Sequence, residues 1–152
     1  MVQVNRMRLG RYEFAVKTAT FRYITQSWSG PGWDFNFSGP CINDDPEGAL
    51  FPYGARLLTE AAPLPLVKAA DYTGIEVVLP LSYDEESGEP FFGLNVCEEH
   101  EVSDVRLRFV ERDGKRYRIE ITATVAKSVL GHPESFELSA WTEELPDHAY
   151  PV

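Results

Sequence analysis

Cysteine, histidine and long apolar runs are all scarce in this sequence, and each scarcity closes off a class of protein. Only Cys41 and Cys97 occur among the 152 residues. They are too few for a disulfide framework, and nothing in their spacing demands a bridge. The three histidines, His100, His132 and His148, stand far apart beside turn or tail signals, so they form no paired zinc motif. No stretch approaches the ~20 apolar residues that a membrane-spanning helix needs. The first ten residues carry Arg6 and Arg8 where a secretion signal requires an apolar run. Glycine-rich phosphate loops, dinucleotide fingerprints, His-Glu-x-x-His and Gly-x-Ser-x-Gly are missing too. The expectation is a cytoplasmic protein with two free thiols, no cofactor, no metal and no membrane partner.

Basic residues are scarce in one region above all. Residues 1–40 hold five Lys/Arg against two Asp/Glu, whereas residues 41–104 hold two against fourteen, a local net charge of −12. Residues 105–152 are nearly balanced, with seven against eight. Phosphate backbones need clustered cations, so nucleic acid is not an expected partner. An acidic surface instead favours solubility and steers association toward a basic partner.

What the chain does have is core material: 43% apolar residues and 12% aromatic ones, enough for one domain of this length. Alternation at period two dominates. Tyr12, Phe14 and Val16 alternate with charged neighbours, as do Phe21 and Tyr23 after a break at Thr18-Ala19-Thr20 that suggests a bulge or bend. Trp33, Phe35 and Phe37 repeat the pattern, followed by Ile75, Val77 and Leu79, by Phe92, Leu94 and Val96, and by Phe136, Leu138 and Ala140. Residues 105–125 read as a hairpin. A three-residue loop, Arg112-Asp113-Gly114, pairs Phe109 with Tyr117 and Leu107 with Ile119, keeping the apolar sets on one face. Helix is expected only between Tyr53 and Ala62, closed off by Pro63 and Pro65, with a further short turn over 64–70. The predicted fold is mainly β: an antiparallel β-sandwich or open barrel with at most one or two short helices, a single domain over 1–152, and an irregular C-terminal tail over 146–152.

Two acidic clusters stand out. Asp84-Glu85-Glu86-Ser87-Gly88-Glu89 resembles a calcium loop only in composition, because it lacks the alternating ligands and the closing Glu. It reads as an exposed hairpin tip. Cys97-Glu98-Glu99-His100-Glu101 is dense in metal-ligating types, but strand alternation puts Cys97, Glu99 and Glu101 on one side and His100 on the other. It reads as a solvated acidic loop continuing to Asp104. Asp44-Asp45-Pro46-Glu47 is likewise read as loop. Arg106, Arg108, Arg116 and Arg118 make a basic stripe on the hairpin's outer face, where internal carboxylates are the expected partners.

Tryptophans supply the candidate anchors. Trp28 and Trp33 flank the turn Ser29-Gly30-Pro31-Gly32, and Trp141 falls out of phase with Phe136, Leu138 and Ala140, on the outer face. Trp33 is expected to begin the apolar face of its strand. The functional expectation is a non-enzymatic acidic protein-binding domain, such as a small immunity-type inhibitor that occludes a basic partner. Asp84, Glu85, Glu86, Glu89, Glu98, Glu99, Glu101 and Asp104 would steer that partner, and an exposed tryptophan would anchor it. The alternative is a small-molecule or carbohydrate-binding β domain using Trp28, Trp33 or Trp141 as a platform. An enzyme with a dispersed carboxylate site is the weaker third reading.

Overall fold

Side chains that alternate in and out build the wall of this protein, and the computed structural model describes that wall for residues 1–42, 54–126 and 132–152. The strands are β1 (Arg6–Leu9), β2 (Tyr12–Ala15), β3 (Thr18–Gln26), β4 (Gly32–Pro40), β5 (Gly54–Ala62), β6 (Glu76–Leu79), β7 (Gly93–Val96), β8 (Glu98–Asp113), β9 (Arg116–Val125), β10 (Glu134–Glu144) and β11 (His148–Ala149). Among the described residues there is no helix. The fold is all-β, and Asp44–Glu47, read from sequence as loop, lies outside the described residues.

Seven strands close a ring in the order β3-β4-β5-β7-β8-β9-β10, then back to β3. Every neighbour in the ring is antiparallel except the last pair. There β10 meets β3 in parallel, through Glu143↔Thr20 and Glu144↔Phe21 alone. The β1–β2 hairpin extends the sheet beyond β10, β6 adds to β8, and β11 lies parallel to β3. Closure removes the open edges that a sandwich would leave.

Aromatic rings fill the barrel. Phe21 sits among Trp33, Phe35, Tyr72, Phe109 and Tyr117, with ring centroids 5.4–6.4 Å away in stacked, tilted and edge-on contacts. Phe14, Phe37, Phe92, Phe136, Met7 and Leu9 are fully buried as well. The indole N–H of Trp33 donates to the Leu66 carbonyl at 3.0 Å, so even its polar atom is satisfied inside.

Four expectations need correcting. The segment expected as helix is β5, whose burial alternates along Ala55, Leu57 and Thr59. Its Leu and Ala content favours helix locally, but the two flanking strands β4 and β7 recruit it into the ladder. The β8–β9 turn is Gly114-Lys115, between the paired residues Asp113 and Arg116. Gly114 still takes the left-handed conformation at φ 62°. A bulge between Phe109 and Glu111 then restores parity, pairing Phe109 with Ile119 and Leu107 with Ile121. The apolar face is the one the alternation predicts, and the register differs from the expected one because the bulge interrupts the ladder. Residues 146–152 are not wholly irregular, since they include β11. Finally, Trp33 is only 2% exposed and offers no platform to a ligand.

Candidate functional site

An irregularity between β4 and β5 shapes the outer surface. Trp33 pairs with Ala62 and Phe35 with Thr59, so Glu60 and Ala61 together oppose Asp34. Thr59 repairs the interrupted ladder with its side chain. Its hydroxyl donates to the Trp33 carbonyl at 2.7 Å and accepts the Phe35 N–H at 2.9 Å. The Asp34 carboxylate accepts the Ala61 N–H at 2.6 Å. Ala61 itself is held at φ 45°, a strained conformation for a residue with a Cβ. Only glycine fits at position 32 beside it, because a Cβ there would lie 2.1 Å from the Ala61 carbonyl oxygen. The bulge leaves Glu60 exposed on the outer wall.

Glu60 borders a groove of about 750 Å³ whose other walls come from three separated parts of the chain. Trp28 stands on the β3–β4 connection, 87% exposed. That turn is held by the Gly30 N–H on the Ser27 carbonyl at 3.1 Å and by the Ser27 hydroxyl on the Gly30 carbonyl. Opposite, the loop 84–89 contributes Asp84, Glu86 and Glu89, and β8 contributes Glu99. The loop is tied by the Asp84 N–H on the Glu89 carbonyl at 2.8 Å and the Gly88 N–H on the Asp84 carbonyl at 2.7 Å. Asp84 also accepts the Ser87 hydroxyl at 2.8 Å, so its carboxylate holds the loop. Among the described residues, five carboxylates therefore line the groove and no Lys or Arg does. Glu60, Glu86, Glu89 and Glu99 make no ion pair among the described residues.

Elsewhere several acidic residues are neutralised by ion pairs. Glu76 pairs with Arg106 at 2.7 Å, Glu111 with Arg118 at 2.8 Å and Glu137 with Arg8 at 2.7 Å. Arg118 also reaches Glu120 at 3.2 Å, and these glutamates hold its guanidinium pKa above the ordinary value. Most of the basic stripe on β8 and β9 is thus spent on internal pairs, each such exposed pair contributing little stability. Among the described residues the groove's glutamates have no ion-pair partner, whereas most of the basic stripe on the hairpin is paired.

The residues expected to steer a partner do not all gather here. Asp84, Glu86, Glu89 and Glu99 line the groove together with Trp28. Glu85 and Glu98 are exposed but outside its lining, and Glu101 accepts the Ser82 hydroxyl. Asp104 occupies a left-handed position at φ 50° and donates its N–H to the Pro80 carbonyl at 3.2 Å. Trp141 lies on the outer face of β10, beneath the Arg116 guanidinium at 5.9 Å from its ring centre. Glu60 is absent from the residues the sequence singles out, because a helix between Tyr53 and Ala62 hides the alternation that turns it outward.

The cysteine and histidine groups do not converge. Cys97 forms the tip between β7 and β8 at φ 66° and is exposed, while His100 is buried, its Nε2 3.2 Å from the Val96 carbonyl oxygen. Loss of water around the Cys97 sulfur, aided by the charge of Glu98, pushes its thiol pKa up, away from nucleophilic readiness. Cys41 is buried and unbridged, and His132 stands 3.1 Å from Glu134. Among the described residues, no group of three His, Cys, Asp or Glu is placed to hold a metal ion. No helix there is long and apolar enough to cross a membrane. Comparison with protein-family models, curated proteins and solved structures finds no match for this chain.

Proposed function

We propose that this chain is a non-enzymatic binding domain that takes a basic protein segment into the acidic groove beside Trp28. The observation that carries the reading is the meeting of an 87% exposed tryptophan with Glu60, Glu86, Glu89 and Glu99, four carboxylates without ion-pair partners among the described residues. Like charges held together on one wall cost stability, and a cationic segment relieves that cost on binding. Trp28 adds an aromatic face on which a guanidinium can lie, a contact worth about 0.5–1 kcal/mol at an exposed site and more when water is excluded. The carboxylates steer and the indole anchors. Blocking a basic functional surface on the partner, as a small immunity-type inhibitor does, is the form of this function that suits a net charge of −10.

The test uses three peptides of equal length, rich in arginine, rich in lysine and neutral, titrated against the whole chain at rising salt. The arginine peptide is expected to bind best, the neutral one not at all. Affinity should fall steadily as the screening length shrinks from about 10 Å at 0.1 M salt toward 3 Å at 1 M. Trp28→Ala should weaken the arginine peptide more than the lysine peptide. Changing Glu60, Glu86, Glu89 and Glu99 together to Gln should abolish the salt dependence. Binding indifferent to salt, or untouched by the fourfold change, refutes the reading.

A further inference from the structure

A second cleft opens at the barrel's parallel seam and shares no lining residue with the acidic groove. β10 and β3 touch through only two residue pairs, so Thr18 and Ala19 have no partner on β10. The strands part there around a cleft of about 460 Å³. Trp141 supplies one wall, and its backbone is fixed because its N–H donates to the Asn5 side-chain carbonyl at 3.1 Å. Asn5 is itself set in a left-handed conformation at φ 62°.

The charge at this cleft is opposite in kind to that of the groove. Arg106, Arg108 and Arg118 all have glutamate partners on β6, β8 or β9. Arg116 has none among the described residues, although Glu143 is its direct cross-strand neighbour. Its guanidinium instead lies over the Trp141 ring. Lys17, across the cleft, likewise makes no ion pair among the described residues, and Thr18 lines the cleft beside it. Among the described residues, two cations and one carboxylate therefore surround an aromatic face in a chain whose net charge is −10.

A ring with a hydrophobic face stacks on an indole, hydroxyl groups suit the Thr18 and Asn5 side chains, and a negative substituent suits Arg116 and Lys17. We propose that the seam cleft binds an anionic pyranose sugar, its ring displacing Arg116 from the face of Trp141 and its carboxylate or phosphate held between Arg116 and Lys17. The shared chemistry is a sugar ring with one anionic group. A uronic acid and a sugar phosphate are its two sources.

The experiment is a titration of the isotope-labelled chain, followed through the three tryptophan indole N–H resonances in two-dimensional NMR. Probes are glucuronate, glucose 6-phosphate and glucose, each raised to about 10 mM, where even a millimolar site is mostly filled. At least one anionic sugar should move the Trp141 signal, identified by its loss in Trp141→Phe, while leaving the Trp28 and Trp33 signals in place. Whichever binds identifies the source. Glucose should bind at least about tenfold more weakly, and so should the anionic sugar to a Lys17→Gln/Arg116→Gln double variant, whose spectrum reports whether it is folded. The proposal fails if neither anionic sugar moves the Trp141 signal. It fails equally if glucose binds as well as they do, or if the double variant binds unchanged.

Discussion

Replacing Thr59 by valine removes one hydroxyl and almost nothing else. The two side chains have nearly the same shape, so no cavity opens at a residue that is 3% exposed. What disappears is the pair of bonds to the Trp33 carbonyl, 2.7 Å, and from the Phe35 N–H, 2.9 Å, which stand in for the ladder where β5 bulges. Each buried backbone group left without a partner costs about 1–3 kcal/mol. Thr59→Val should therefore destabilise the domain by about 2–6 kcal/mol, a large part of the ~5–15 kcal/mol that holds a domain folded. Thr59→Ser is the matched control. It keeps the hydroxyl and loses one methyl, about 1 kcal/mol. Urea unfolding followed by circular dichroism reads the difference. With a slope of about 2 kcal/mol/M the valine midpoint should drop by about 1–3 M and the serine midpoint by about 0.5 M, with the slope itself unchanged. A valine variant as stable as the serine variant would refute the idea that this hydroxyl closes the interrupted ladder. The bulge also places Glu60, so the valine variant should lose groove affinity that the serine variant retains.

Trp28→Phe should remove the emission most readily quenched by acrylamide and leave the blue emission of buried Trp33, with stability changed by no more than about 0.5 kcal/mol; an unchanged quenching curve would contradict the placement of both rings. Cys97→Gly should relieve the left-handed strain at φ 66°. The net gain, after the greater freedom of an unfolded glycine, is about 0.5–1 kcal/mol, or a melting temperature higher by about 2 °C, and a lower one would count against that strain. Burial pushes the phenol pKa values of Tyr72, Tyr117 and Tyr150 above their ordinary value. Because the folded state holds these protons more tightly, their contribution is complete below pH ~10 and is lost as pH climbs through and beyond that point. The urea midpoint should accordingly fall between about pH 10 and 12, less so in Tyr150→Phe, and a flat midpoint over that range would overturn the assignment.

The strand content was legible because alternation is a property of neighbours. Phe35 and Phe37 point inward and Asp34 and Asn36 outward whatever the rest of the chain does. β5 was not, since Ala55, Leu57, Leu58, Ala61 and Ala62 suit a helix, and only β4 and β7 on either side make it a strand. The β8–β9 register was hidden by one extra residue, Val110, whose insertion no local pattern announces. The site was legible in its parts. Trp28 stood out beside a glycine-proline turn and the acids of 84–89 as a charged tip, while the exposure of that ring is a product of the fold. That they share a groove with Glu60 and Glu99 follows from barrel closure and from the Glu60–Ala61 bulge, both products of pairing between distant segments.

The parallel seam also governs how the molecule must be assembled. Thr20 and Phe21 find their partners in Glu143 and Glu144, more than a hundred residues further along the chain. Phe21, at the centre of the aromatic interior, therefore stays on an open flank throughout most of synthesis. Pairings this remote in sequence form slowly, on the scale of milliseconds to seconds for β-rich domains. Until β10 is made, a growing chain presents two unzipped strands to its surroundings.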